Sequence, residues 1–418
     1  MNVLWITNIL FPEAIELITG SGELKASGGW MLGAANALLK QGSIKLYVAS
    51  VSPLVSKLTK LYGEQIIYFV LPLGKGNQKI NLDYCPLWQQ INEDVNPDIV
   101  HIHGTEFSHG YAYMKACGCY NVVISIQGLT SACYYYYYYG MTKQDIYRNL
   151  TLRDILRGSI LDGQKQFGRR AKYEIEMLKM AKHIIGRTSW DRAHVWSINP
   201  DAKYHLCNET LRQDFYTGEQ WDYEQCQKHS IFLSQAVYPL KGLHQVLKAM
   251  PLILRHYPDT TIRVAGSDIT KTTTIEDKLR LSGYGRYIKR LIKRNNLTDH
   301  IEFTGNLNGQ QMKQEYLRAN VFICPSSIEN SPNSLGEAQI LGTPCISSYI
   351  GGTPDMMCGN EDNLYRFEEV EMLAYKVCRI FNNKGAQLSM NSVANQRHNQ
   401  LENALSLISI YNQIKTKQ

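Results

Sequence analysis

Ten cysteines are spread through 418 residues without one Cys-x-x-Cys pair, which removes the usual redox and zinc-site spacing. The closest two, Cys117 and Cys119, have no His or Cys nearby at a metal-ligand interval. Several others, Cys324 and Cys345 among them, sit in apolar runs and read as buried free thiols of a reducing cytosol. No apolar stretch approaches the ~18 residues that a membrane-spanning helix needs. The opening MNVLWITNIL lacks a basic leader region and reads as a first strand rather than a signal peptide. Asp-x-Asp occurs nowhere, so the carboxylate pair that commonly holds a metal against a diphosphate is missing. Neither metal ligands nor a cofactor are expected.

What is present is the composition of a globular protein. Hydrophobic residues make up 44% and charged residues 19%, which argues against extensive disorder. A chain this long exceeds one compact core, and two domains of roughly 200 residues are expected. The net charge of +7 is uneven: Met141–Lys182 holds ten Lys and Arg against five Asp and Glu. Arg286, Lys289, Arg290, Lys293 and Arg294 recur at helical spacing. These clusters read either as solvated helix faces or as attraction to an anionic membrane surface or acceptor. No nucleic-acid motif accompanies them, so nucleic acid is not an expected partner.

Along the first half, apolar strand-like runs alternate with helical patterns: Val3–Leu10, Trp30–Leu39, Ile44–Ala49, Ile66–Leu71, Ile99–His103, Val122–Ile126, Ala171–Lys182 and Ile184–Ile185. The second half restarts the rhythm with Ile231–Ser234, a helix from Gly242 to about His256, Ile262–Ala265, Ile301–Phe303, Val321–Cys324 and Pro344–Ile346. Strands interleaved with helices predict parallel sheets with right-handed crossovers. The fold class is therefore α/β, with two Rossmann-like domains: 1–210 and 211–395. Gln213–Ser230 is polar without a clean period and reads as the linker. Leu401–Lys415 has the apolar period of a helix. Six consecutive tyrosines, Tyr134–Tyr139, read as a surface loop or edge, or as an aromatic platform for a sugar or lipid acceptor.

Val321–Asp355 concentrates the chemistry. It reads as a buried strand, a polar loop with Glu329, a helix opening near Ser334 that carries Glu337, a second strand, and the Gly351-Gly352 turn. An open α/β sheet presents its ligand at such carboxyl ends of strands, and a helix amino terminus welcomes phosphate. Lys241 follows the strand Ile231–Ser234 and precedes a helix, where an ammonium can reach a diphosphate. Gly28-Gly29 precedes the helix Trp30–Leu39 and permits close approach of a phosphate. His101 and His103 share one strand face; the terminal His103 is the site candidate and His101 the core histidine. Glycosidase carboxylates stand about 5 Å apart or up to about 9.5 Å. Eight helical residues rise about 12 Å, so Glu329 and Glu337 fit hydrogen bonding better: Glu337 on ribose hydroxyls, Glu329 near a donor sugar.

Those residues resemble a family. Glu329-x7-Glu337 within SPNSLGEA and GTPCISS is similar to the retaining glycosyltransferases of family 4, which have the GT-B fold of two facing Rossmann-like domains. FPE at Phe11–Glu13, PDIVHIHG ending at Gly104, Asn208-Glu209, KGLHQVLKA from Lys241, RVAGSD from Arg263 and IEFTGNL from Ile301 follow in the family's order. The resemblance implies a nucleotide-sugar donor, transfer with retention, and a last helix (about 396–418) returning to the first domain. Lys241 would hold the diphosphate and Glu337 the ribose. Glu329 and the amides of Asn330, Ser331, Asn333, Ser334 and Leu335 would hold the sugar and phosphates. Gly28 and Gly29 would touch the distal phosphate, and His103 would lie beside the reacting centre. Two departures stand out: Gln235 and Ala236 replace a family arginine, and Asn330-Ser331 replace a usual Gly-Phe. The expectation is a metal-independent retaining glycosyltransferase, cytoplasmic or at the inner membrane face. Its acceptor would be a lipid-linked or polysaccharide one, in capsule or lipopolysaccharide assembly. The alternatives are a non-catalytic nucleotide-sugar-binding protein and a nucleotide-sugar epimerase or hydrolase.

Overall fold

A computed structural model describes residues 1–20, 29–73, 84–383 and 390–416. The chain forms two compact units. One takes residues 1–131, 167–212 and 397–418; the other takes 132–166 and 213–396.

Among the described residues the first unit is built on eight strands: β1 (Asn2–Thr7), β2 (Lys45–Ser52), β3 (Thr59–Tyr62), β4 (Ile66–Pro72), β5 (Ile99–His103), β6 (Val122–Ser125), β7 (His183–Gly186) and β8 (Lys203–Leu206). Their order is β3-β4-β2-β1-β5-β6-β7-β8. All neighbours are parallel except the β3–β4 pair at the edge. Nearly every residue of β1, β5 and β6 is buried on both faces, as parallel strands covered by helices require. The last helix, Gln400–Lys415, belongs to this unit. Its Tyr411 is fully buried, and Trp5 Nε1 donates to the Tyr411 hydroxyl at 3.0 Å. That hydroxyl is 2.6 Å from His101 Nδ1, and His101 Nε2 is 2.6 Å from Ser125 Oγ. Indole can only donate, so the tyrosine O–H donates a hydrogen bond to Nδ1, and Nε2–H donates to Ser125 Oγ. His101 is thus a satisfied core histidine, kept neutral by burial with a pKa pushed down to about 3.

Among the described residues the second unit holds six strands: β9 (Gln227–Leu233), β10 (Thr261–Val264), β11 (Ile301–Phe303), β12 (Ala319–Cys324), β13 (Cys345–Ser348) and β14 (Leu364–Tyr365). The order is β11-β10-β9-β12-β13-β14, all parallel. Counting from β9, this is strand order 3-2-1-4-5-6, whose topological switch falls between β9 and β12. The segment read as a linker is structured: Phe215 is fully buried, and Trp221 Nε1 donates to Ala319 O at 2.7 Å. The tyrosine run is helical over Tyr134–Tyr136, within Thr130–Tyr136, and continues as a turn over Tyr137–Tyr139. Tyr135 is 75% exposed, while Tyr137 and Tyr138 pack on this unit's core. Among the described residues no helix is long and apolar enough to cross a membrane.

Candidate functional site

The second unit's switch point is where the sequence-predicted residues gather. β9 leads to the short turn Pro239–Lys241, and Gly242 follows at φ 71°. A Cβ there would collide with the Pro325 carbonyl oxygen just past β12. Only glycine lets these two loops close on each other. Ser327 N donates to Leu240 O at 2.8 Å and seals the contact. Gly351, after β13, stands at φ 49° with the Glu329 carbonyl against its Cα, and Gly352 N donates to that carbonyl at 3.0 Å.

These contacts set Lys241 Nζ 2.6 Å from Glu329 Oε1, joining the loops that follow the neighbouring strands β9 and β12. Ser326 Oγ donates to the same oxygen at 2.9 Å. The two side chains keep 21% and 17% of their surface, so the pair is shielded yet reachable. Burial would lower the Lys241 pKa, but the Glu329 carboxylate beside it outweighs this and holds the ammonium above the ordinary lysine range. The Tyr238 ring lies beneath, 5.9 Å from Nζ, and burial raises its phenol.

The helix Asn333–Leu341 begins beside this pair. Its N-cap is Pro332, whose side chain can accept nothing, so the leading amides keep their preference for an anion. Asn333 Oδ1 is buried without a hydrogen-bond partner among the described residues. Asn330 and Ser331 are buried in the loop, whereas Ser334 is partly exposed on the first turn. The Leu335 side chain is in the core and its amide donates to Pro332 O at 3.0 Å, so the amides before it are the ones left for a ligand. Glu337 is buried one turn further on, 3.4 Å from the Tyr316 hydroxyl. The tyrosine run reaches this loop as well: Ser327 Oγ donates to Tyr136 O at 2.9 Å. Among the described residues no cluster of three His, Cys, Asp or Glu forms a metal-binding group.

The first unit carries the remaining candidates at its own switch point, between β1 and β5. His103 ends β5, 6% exposed, stacked on His101 at 3.8 Å and tilted against Trp5 at 4.3 Å. Burial, with His101 and Arg187 nearby, pushes its pKa well below the histidine range, so it is neutral. Among the described residues its buried Nε2 has no hydrogen-bond partner, as a group awaiting a ligand would have none. Gly29 opens the helix Gly29–Leu39, and a Cβ there would press on Arg212 Cγ at 3.2 Å. Gly28 lies outside the described residues.

Two acids escaped the sequence reading. Glu106, three residues beyond His103, takes the Gly128 amide at 3.1 Å and the Asn8 amide nitrogen at 3.2 Å. Burial pushes its carboxyl up to about 7, and Glu174 nearby adds to the rise. The only signal available was its place just past a strand's carboxyl end. Glu174, within the long helix Ile160–Met180, accepts from Thr105, Thr130 and Ser131 and anchors the loop after β6. It sits in a basic helix with nothing to mark it.

Comparison with known proteins adds to the geometry. Residues 224–402 match the model of the family described as glycosyl transferases group 1. A sucrose-phosphate synthase from Thermosynechococcus elongatus superposes with a TM-score of 0.72 over 100% of both chains, at 16% identity. The Anabaena protein HepE, in complex with UDP-glucose, gives 0.64 over 98% of this chain and 99% of its own, at 13% identity. The likeness is one of fold, the GT-B fold with two Rossmann-like domains. A D-inositol 3-phosphate glycosyltransferase from Corynebacterium urealyticum is 24% identical over 42% of this chain and 41% of its own length. A glycosyltransferase from Methanocaldococcus jannaschii is 24% identical over 38% and 37%. The chain thus aligns with well under half the length of these curated relatives.

Proposed function

We propose, on the premise that residues 224–402 are a group 1 glycosyl transferase domain within a GT-B fold, that this chain transfers a sugar from a nucleotide-sugar donor. The observation that carries the reading is the Lys241–Glu329 pair at the switch point of the second sheet. A leaving nucleoside diphosphate gains negative charge, which fixed cations and amide dipoles stabilise. Lys241 and the open amino end of the helix Asn333–Leu341 supply both. A diphosphate competes with Glu329 for the ammonium, and the released carboxylate is left to accept hydroxyl groups of the sugar. Glu337 is the residue assigned to the ribose.

The finer reading is a retaining, metal-independent transfer. A single ammonium plus peptide dipoles takes the role of a divalent ion, since Gln235 and Ala236 bring no second cation. The first unit, with neutral His103, is assigned to the acceptor side. That acceptor is a lipid-linked or polysaccharide glycan of surface-glycan assembly, met at the inner face of a membrane. UDP is the first nucleotide to test, because HepE is a UDP-glucose complex.

The test is a thermal-shift panel of UDP, GDP, ADP and their sugars in the presence of a chelator. Ligand at a hundredfold its Kd stabilises by about 2.7 kcal/mol. One nucleotide series should raise Tm, and Lys241→Ala should cut the shift to about half or less. A shift only with added metal, or one untouched by Lys241→Ala, would refute the assignment. Anomeric configuration of the product, read by NMR, decides retention.

A further inference from the structure

Away from the candidate donor site, the second unit carries an apolar patch accompanied by cations. The helix Leu152–Arg157 leaves Leu152, Ile155 and Leu156 57%, 77% and 75% exposed. The helix Ile275–Arg280, which lies against it, adds Ile275 at 78% and Leu279 at 56%. One exposed leucine is ordinary, but five large aliphatic side chains on two touching helices form a patch that ordinarily has a use.

The patch is held in place rather than frayed. Capping boxes Thr151/Asp154 and Thr274/Asp277 start the two helices. Asp154 Oδ1 accepts from Gly283 N at 3.1 Å, and Arg286 donates to Leu150 O at 2.8 Å, which tie it to the basic helix Gly283–Arg294. Residues 143–157 and 271–294 together hold twelve Lys and Arg against four Asp and Glu, a surplus larger than the whole chain's net +7. Three of the acids, Asp145, Asp154 and Asp277, are occupied as helix caps. The fourth, Glu276, pairs with Arg280. Arg148, Arg157, Lys278, Arg286, Lys289 and Arg290 are exposed on these two helices, on Lys143–Arg148 before them and on the basic helix tied to them.

We infer that this surface docks the protein on an anionic lipid bilayer. The aliphatic tips enter the boundary between headgroups and acyl chains, and the cations bind lipid phosphates. Uniform positive charge matches a uniformly negative surface. Protein interfaces, by contrast, deplete lysine and charge at their cores. The surface gives a place to the membrane contact in the reading above. Its readout is lipid binding, so its failure leaves the donor-site reading standing.

Flotation with phosphatidylcholine vesicles, with and without phosphatidylglycerol, tests it. The protein should bind only the anionic vesicles, and release as salt rises. Ile155→Ser/Leu156→Ser/Ile275→Ser should lower partitioning at least about tenfold, and Arg157→Glu/Lys278→Glu about tenfold. Far-UV circular dichroism and Tm should not move, because these side chains are exposed. No preference for phosphatidylglycerol, or variants that float like the parent, would overturn the inference. So would a concentration-dependent dimer, lost in the serine variant, in a protein that ignores vesicles.

Discussion

Replacing Lys241 by methionine separates the structural from the functional worth of the ammonium. Exposed ion pairs contribute about 0–1 kcal/mol, and breaking a fully buried one costs about 3–5 kcal/mol. With side chains 21% and 17% exposed, this pair falls between, so Lys241→Met should destabilise by about 2 kcal/mol. The cause is a carboxylate left with the Ser326 hydroxyl at 2.9 Å. Lys241→Met/Glu329→Gln should regain part of that loss, with a coupling of about 1–2 kcal/mol. Donor binding should behave differently. A charge-assisted bond to phosphate contributes about 1.5–3 kcal/mol, so the single variant should bind nucleotide-sugar roughly 10- to 150-fold more weakly. Removing the Glu329 charge relieves repulsion of the diphosphate, and the double variant should recover only partly. Urea unfolding and isothermal titration give the two readouts. If the double variant binds donor as tightly as the parent, Lys241 merely neutralises Glu329 and the diphosphate lies elsewhere.

Other expectations follow from single residues. Gly242→Ala forces a Cβ into the Pro325 carbonyl at a positive φ, and should cost about 3 kcal/mol in urea unfolding while weakening donor binding. Glu174→Ala strips the buried amides and hydroxyls of Thr130 and Ser131 of their acceptor. It should destabilise by about 3 kcal/mol on the same assay, whereas Glu174→Gln should cost less. His101 and His244 have pKa values pushed down to about 3 by burial, so the unfolded chain binds their protons first as pH falls below about 6.5. Stability should therefore drop between pH 7 and pH 5, by up to about 2 kcal/mol per histidine. His244→Gln should flatten the slope, and an unchanged slope would contradict the burial argument. Tyr136→Ala should weaken the acceptor's KM without altering donor affinity if the tyrosine run serves as the platform beside the Ser327 contact.

Much of the second sheet was legible because β12 and the second half of β9 are buried on both faces and read as apolar runs, whereas β10 alternates buried and half-buried residues. Ile231–Ser234, Ile262–Ala265 and Val321–Cys324 fall on β9, β10 and β12. Strand and helix starts carry punctuation, so the helix opening near Ser334 begins one residue earlier, at Asn333. The edge strands were not legible. β3 and β8 alternate no apolar face, being mostly half-exposed or exposed, and β3 runs antiparallel to β4 against the expectation of purely parallel sheets. Residues 213–226 lack a period because isolated anchors, Phe215 and Trp221, do the packing. The helices of residues 130–157 are each only six or seven residues long, too short to show a period. Lys241 and Glu329 lie 88 positions apart, and nothing local to either predicts the 2.6 Å contact. Strand order does. The strands that precede them, β9 and β12, are neighbours at the reversal of the sheet.

A crystal structure with the nucleotide diphosphate that the thermal-shift panel selects is the most direct measurement. The diphosphate should lie within hydrogen-bond distance of Lys241 Nζ and the first amides of the helix Asn333–Leu341, with Glu329 turned from the ammonium toward the sugar position. A diphosphate bound anywhere else, or Lys241 still paired with Glu329 in the occupied site, would contradict the account.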